Sequence, residues 1–322
     1  MSASNLSPEG DALFQQLYRP VTKTHRTKTY AAIDPSRPEL SNRGKTAVVA
    51  GASSGIGAAC ALSIAKSGID AIALLARTET ALNQTKATIE DLGLGTRVLV
   101  YAVDTTGNAA ELKEAFAHFA SVNDKKKVDI LVASAGMMPD LKSIEDADAD
   151  EWWTGFEVNV RGRFNLLRAF APVAADGGVV VHVSTAALHM AFTTMADLKG
   201  VRAWKTDMPG YSSYRASNSA ATKIFEYFGH EHPELRVVQV HPGLIRTPLT
   251  SKILPSFEGT EGLPWDDVEL SGDFVNWATS SEAAFLKDRF VHVNWDVEEL
   301  MQRKVDLEKD PFMFMISLKG WA

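Results

Sequence analysis

Seven short runs rich in Val, Ile, Leu and Ala punctuate the chain. They are Lys45–Ala50, Asp70–Ala76, Thr96–Val103, Val128–Ser134, Gly178–Ser184, Leu235–His241 and Arg289–Val293. Between them lie stretches with helical spacing of apolar positions: Ala58–Ser67, Thr78–Leu92, Ala109–Ser121, Ala149–Phe170 and Tyr211–His230. Several of the strand-like runs are continuously apolar rather than alternating. That pattern belongs to strands covered on both faces. Strands alternating with helices predict an α/β fold: a doubly wound parallel sheet of about seven strands, with helices on both faces and ligands at the carboxyl ends of the strands. Residues 1–44 break the pattern. They carry Ser, Pro, Thr and Lys with few large apolar groups, one short helix over Gly10–Tyr18, and Pro35 and Pro38 keeping the chain extended. They read as an N-terminal arm on the surface of a single domain over 45–322, which has loops at 186–210 and 248–272. There is no internal repeat and no low-complexity tract.

The first strand-like run leads into Gly51-Ala52-Ser53-Ser54-Gly55-Ile56-Gly57, and a helix follows. A strand, a glycine turn and a helix form a phosphate cradle. Glycines let the backbone turn sharply and approach a pyrophosphate, and the helix N-terminus offers unpaired N–H groups and the positive end of its dipole. A glycine-rich turn alone would be a weak signal; its flanks point to a Rossmann-like dinucleotide site. Twenty residues after Gly57 the second strand ends at Arg77. A carboxylate there would bond a ribose 2′-hydroxyl, whereas an arginine holds a 2′-phosphate, so NADP(H) is favoured over NAD(H).

Composition excludes more than it assigns. A net charge of −7 argues against a nucleic-acid or anionic-membrane surface, and 45% apolar residues are ample for a core. The one cysteine, Cys60, allows no internal disulfide and no cysteine cluster for a metal, and it reads as a small core residue. No stretch reaches the length of about 18 apolar residues that a membrane span needs. A reducing compartment is expected, most simply the cytoplasm. His230-Glu231-His232 looks like a metal pair, but Pro233 follows at once and no third ligand has helix spacing, so no metal site is expected.

The motif Gly51–Gly57 resembles the nucleotide motif of the short-chain dehydrogenases/reductases, and ordered landmarks as far as about Thr250 extend the resemblance. Asp104-Thr105, after the third strand, matches the family's acidic contact to the adenine edge; the same pair would also serve as a helix cap. Ala133-Ser134-Ala135-Gly136 resembles the family's Asn-Asn-Ala-Gly without either asparagine. Pro242-Gly243-Leu244-Ile245-Arg246-Thr247 resembles the Pro-Gly-x-x-x-Thr that binds the nicotinamide carboxamide, through a backbone group near Ile245 and the Thr247 hydroxyl. The resemblance implies a tyrosine acid/base, a neighbouring hydroxyl, a lysine four residues after the tyrosine, and an asparagine that holds a water. Asn159 in Phe156–Gly162 takes the asparagine's place. Thr185 takes the hydroxyl's, with Ser184 as the substitute. Tyr214 opens Tyr214-Arg215-Ala216-Ser217-Asn218, in which Asn218 stands where the lysine belongs.

That departure removes the positive charge that supports a tyrosinate, so the phenol is expected near its unperturbed value of about 10, and Asn218→Lys is expected to restore the charge. Lys223, Arg215 and the loop residues Lys199, Arg202 and Lys205 are the substitute cations weighed, and none has a supported geometry. Thr185 and Tyr214 are separated by 29 residues, far more than in the family. This insertion, with Met190, Phe192, Met195 and Trp204, reads as a substrate wall or lid. Trp152-Trp153 starts the Asn159 helix and serves either a homodimer or homotetramer interface or ordinary core. The C-terminal part, from Gly272 to Trp321, looks like that of fungal members, many of which serve secondary metabolism. Two functions follow. One is an NADP(H)-dependent oxidoreductase acting on a largely apolar small molecule. The other is a redox-inactive isomerase, dehydratase or cyclase that keeps the cofactor pocket. A binding-only sensor would keep the same motifs.

Overall fold

The computed structural model describes residues 21–189, 210–252 and 265–317. Seven strands form one parallel sheet: β1 Thr46–Ala50, β2 Ala71–Ala76, β3 Arg97–Ala102, β4 Val128–Ala133, β5 Ala174–Val183, β6 Arg236–His241 and β7 Arg289–His292. Their spatial order is β3-β2-β1-β4-β5-β6-β7. The order reverses between β1 and β4, where Val48 lies opposite Leu131 and Ala50 opposite Ala133. The crevice at that reversal is where doubly wound sheets bind ligands. The expected α/β architecture is present, and β1, buried along its whole length, shows why its run is continuously apolar.

The helices among the described residues are α1 Gly55–Lys66, α2 Glu79–Glu90, α3 Ala109–Ala120, α4 Ala149–Phe156, α5 Arg163–Phe170, α6 Ser212–Glu231, α7 Val268–Thr279, α8 Val297–Gln302 and α9 Lys304–Lys309. Two apolar layers flank the sheet. One gathers Ile64, Leu74, Val181, Phe274 and Trp277, and the other Phe116, Phe119, Leu131, Phe170 and Phe225. Cys60 is buried in the first layer, and burial pushes its thiol up to about 12.

Three sequence expectations change. The helix expected over Ala149–Phe170 is interrupted by a π turn, Glu157–Gly162, between α4 and α5. Strand β5 starts at Ala174, ahead of the expected Gly178. The segment taken as a loop to residue 272 already contains α7, buried from Leu270 onward. The helix expected over Gly10–Tyr18 lies outside the described residues. Residues 21–44 lie against the C-terminal part of the domain. Arg26 pairs with Asp296 at 2.7 Å, Thr24 N–H donates to Glu299, and His25 bridges to Trp295.

Candidate active site

The glycine turn leaves β1 at its carboxyl end and runs into α1. Gly51 has φ +83°, open to glycine, and its N–H donates to Leu75 O of β2 at 2.8 Å. A Cβ there would sit 2.6 Å from Ala135 N, so the turn and the end of β4 touch backbone to backbone. A Cβ on Gly57 would run into Gly51 O. Ser54 is the N-cap of α1, is exposed, and makes no side-chain cap bond, so the first N–H groups of the helix have no partner from it. Ser53 and Ile56 flank these positions, half-buried. Thr247 comes within 3.2 Å of where a Cβ on Gly55 would be. Two motifs almost 200 residues apart in the chain therefore meet at one edge.

Every expected site residue lies on that edge or on the helices beside it. Arg77 is exposed just past β2, and its charge helps to lower the Asp104 carboxyl past β3. Asp104 also accepts from Thr106 N–H and Oγ1 at 2.8 and 2.7 Å. Thr105 accepts at its carbonyl from Asn165 of α5 at 3.0 Å. The Pro242–Thr247 segment after β6 is tightly held. Ser271 donates to Pro242 O at 2.6 Å, Leu244 N–H donates to Asp266 at 2.7 Å, and Thr250 donates to Ile245 O at 2.8 Å. Asp266 also lies 2.5 Å from where a Cβ on Gly243 would be. Burial raises the Asp266 carboxyl to about 7. The donor set and the shaped backbone fit a dinucleotide. Gly51–Gly57 and the start of α1 would cradle its phosphates, Arg77 and Asp104 would face the adenosine end, and Ile245 and Thr247 the nicotinamide end.

The Thr185 and Tyr214 hydroxyls come together on the same edge. Thr185 follows β5 and accepts from Ala187 N–H at 3.2 Å, which leaves the hydroxyl proton available to donate. The Thr185 hydroxyl lies close enough to the Tyr214 phenol of α6 to favour its ionised form. Ser184 turns away; its Oγ lies 3.4 Å from Thr222 Oγ1. Burial pushes the Tyr214 phenol above its usual value, while the nearby Thr185 hydroxyl and the Arg163 charge act in the opposite direction.

Asn159 sits in the π turn, fully buried. Its amide accepts from Met137 N–H and donates to Met137 O, both at 2.8 Å, and donates to Ser217 Oγ at 2.9 Å. Both donors are therefore spent on protein. These bonds pin the segment after Gly136 to α6, and the amide oxygen keeps a second lone pair that a water could use.

Arg163, absent from the sequence reading, is 4% exposed. Its Nη1 donates to Asn218 Oδ1 at 2.9 Å, its Nη2 to Val183 O at 3.3 Å, and its Nε to Ala135 O at 3.3 Å. Asn218 Nδ2 donates to Tyr214 O at 2.8 Å. The expectation of a tyrosine with no cation beside it is thereby corrected. No signal in the sequence singles it out: Arg163 stands between Arg161 and Arg168, and charge on a helix usually means a solvated face. Lys223 pairs with Glu226 and does not serve; Lys199, Arg202 and Lys205 lie outside the described residues. His232 bonds Glu234 at 3.1 Å beyond the end of α6, and among the described residues no group of three His, Cys, Asp or Glu is placed to hold a metal. Trp152 donates to Ser212 Oγ at 2.9 Å, while Trp153 is 57% exposed.

Comparisons with known proteins agree with this geometry. The family model for short chain dehydrogenases matches residues 45–197. The chain is 30% identical over 311 residues to a short chain dehydrogenase/reductase of Claviceps purpurea, covering 95% of this chain and 96% of that one. It is 28% identical over 309 residues to short chain dehydrogenase/reductase AacuD of Aspergillus aculeatus, covering 95% and 98%. Among solved structures, a short chain dehydrogenase from Burkholderia cenocepacia in complex with NADP superposes with a TM-score of 0.63 at 21% identity, covering 80% of this chain and 99% of that one. With the glycine turn, the Thr185–Tyr214 pair and the Pro242–Thr247 segment on one sheet edge, and with likeness along nearly the whole length, the chain belongs to the short-chain dehydrogenase/reductase family.

Proposed function

We propose that the protein is an NADP(H)-dependent oxidoreductase that interconverts a carbonyl and an alcohol on a largely apolar small molecule. The observation that carries this reading is the Thr185–Tyr214 hydroxyl pair, set on the sheet edge that also bears the glycine turn. Arg77 supports NADP(H): no carboxylate occupies the end of β2, and a guanidinium suits a 2′-phosphate. Bound along this edge, the nicotinamide would give or take a hydride at the substrate carbon. In the direction of reduction Tyr214 donates its phenolic proton to the carbonyl oxygen, and Thr185 donates a hydrogen bond to the same oxygen as charge develops on it. Asn159, by fixing Met137 and Ser217, holds the floor beneath Tyr214. The fungal relatives support a role in secondary metabolism, and the exposed Trp153 supports a homodimer.

The test follows NADPH absorbance with a panel of apolar ketones and aldehydes. Turnover that disappears in Tyr214→Phe, with NADPH binding retained, is the expected result. Tight NADPH binding without turnover of any carbonyl would overturn the reading in favour of a pocket used for isomerisation, dehydration or cyclisation.

A further inference from the structure

A guanidinium that is 4% exposed needs both acceptors and a counter-charge. Arg163 has the acceptors, but all three are neutral: Ala135 O, Val183 O and Asn218 Oδ1. Among the described residues no carboxylate forms an ion pair with it. Burial lowers the guanidinium to about 10, so it remains cationic near neutral pH, and Tyr214 acts on it in the upward direction. A buried cation without an anion is costly unless an anion forms beside it during function. The one group it acts on that can become an anion within the proposed chemistry is the Tyr214 phenol.

The surroundings fit that use. Asn218 lies one helical turn after Tyr214, and its amide links the two: the oxygen accepts from Arg163, and the nitrogen donates to Tyr214 O. The guanidinium also ties together the carboxyl ends of β4 and β5, where the family's paired asparagines are missing at Ala133-Ser134. Gly136 leaves room for it, since a Cβ there would lie 3.3 Å from Nη2. Among the described residues the groups facing the phenol are few. Arg163 comes from α5, Thr185 from the turn after β5, and Tyr211, the N-cap of α6, lies at 6.4 Å between ring centroids. His182, behind Arg163, is held neutral by burial and by the arginine's charge, and Arg215, next to Tyr214 in sequence, acts on His189.

We propose that Arg163 carries, from the helix of Asn159, the positive charge that the family's lysine would bring from the helix of Tyr214, with Asn218 as the neutral acceptor that holds it there. Arg163 is a positioning residue acting through Tyr214 and Asn218. The inference rests on the reading of Tyr214 as the acid/base. It also accounts for the departure at position 218: the cation has moved across the site, and the asparagine there is the partner that the move requires.

The experiment titrates Tyr214 by NMR in protein carrying ¹³C-labelled tyrosine, with the signal assigned by Tyr214→Phe. In the unaltered protein, Tyr214 is expected to ionise at lower pH than Tyr211, which burial and Tyr214 both push up. Arg163→Met is expected to raise the Tyr214 ionisation by about one unit or more, and Arg163→Lys to leave it within about half a unit. The exchange Arg163→Thr with Asn218→Lys moves the charge to the family position and is expected to restore the value. A Tyr214 signal unmoved by Arg163→Met, in protein folded by circular dichroism, would overturn the proposal. So would Tyr214 ionising as high as Tyr211 in the unaltered protein, a comparison that needs no variant to fold. The titration requires no turnover, so it judges Arg163 even if no carbonyl is reduced. Where NADPH-dependent reduction is measurable, the alkaline limb of its pH profile should move upward in Arg163→Met along with the phenol.

Discussion

Placing the family's lysine at position 218 should damage this protein rather than repair it. The Asn218 amide oxygen lies 2.9 Å from Arg163 Nη1, and both side chains are almost fully buried. Asn218→Lys removes that acceptor and brings an ammonium to about 4 Å from the guanidinium. At an effective dielectric constant of about 20, two like charges at that distance repel by about 4 kcal/mol. The new lysine can escape only by losing its proton. Driving an amine from its usual value down to neutral pH costs about as much, since each unit corresponds to about 1.4 kcal/mol. A loss of about 4 kcal/mol is a large share of the usual 5–15 kcal/mol of folding stability and, for a chain of this length, corresponds to a fall in Tm of roughly 6 °C. Urea and thermal unfolding followed by circular dichroism measure it. Repeating Asn218→Lys in an Arg163→Thr background isolates the pairwise part, because the repulsion has no second charge there. The reasoning is refuted if Asn218→Lys is as stable as the parent, or if the penalty is undiminished once Arg163 is gone.

Thr185→Ala should lower turnover by about a hundredfold or more, whereas Ser184→Ala, whose hydroxyl faces Thr222, should cost less than about tenfold; steady-state rates at saturating NADPH compare the two. Arg77→Asp should invert the preference for NADPH over NADH, read from the quenching or enhancement of nicotinamide fluorescence on binding. Asp266 should make the fold less stable as pH rises. Its folded-state value of about 7 lies above the unfolded value, so the native state binds the extra proton between about pH 4 and pH 7, and stability falls across that window by up to about 4 kcal/mol before levelling off. Asp266→Asn should flatten that slope in urea midpoints measured from pH 4 to pH 8.

Much of the fold and half of the site follow from local chemistry along the chain. Strands such as Ala71–Ala76 are legible because a parallel sheet covered on both faces needs an unbroken apolar run. The Gly51–Gly57 turn is legible because its backbone path leaves no room for a Cβ at Gly51 or Gly57. Tyr214 and Asn218 are legible because four residues on a helix share a face. By itself the sequence therefore determined a doubly wound sheet, a dinucleotide edge, the Thr185–Tyr214 pair and the vacancy at the lysine position. It could not show what fills that vacancy. The Ala149–Phe170 stretch reads as one helix, and only the packed structure opens it into a π turn at Glu157–Gly162 and turns Arg163 inward. The charge on Arg163 reads locally as solvated. Its true partners, Ala135, Val183 and Asn218, come from the ends of two strands and from another helix, between 20 and 55 residues away in the chain. A buried cation is defined by acceptors that converge on it from separate elements, and that convergence exists only once the tertiary structure has brought those elements together.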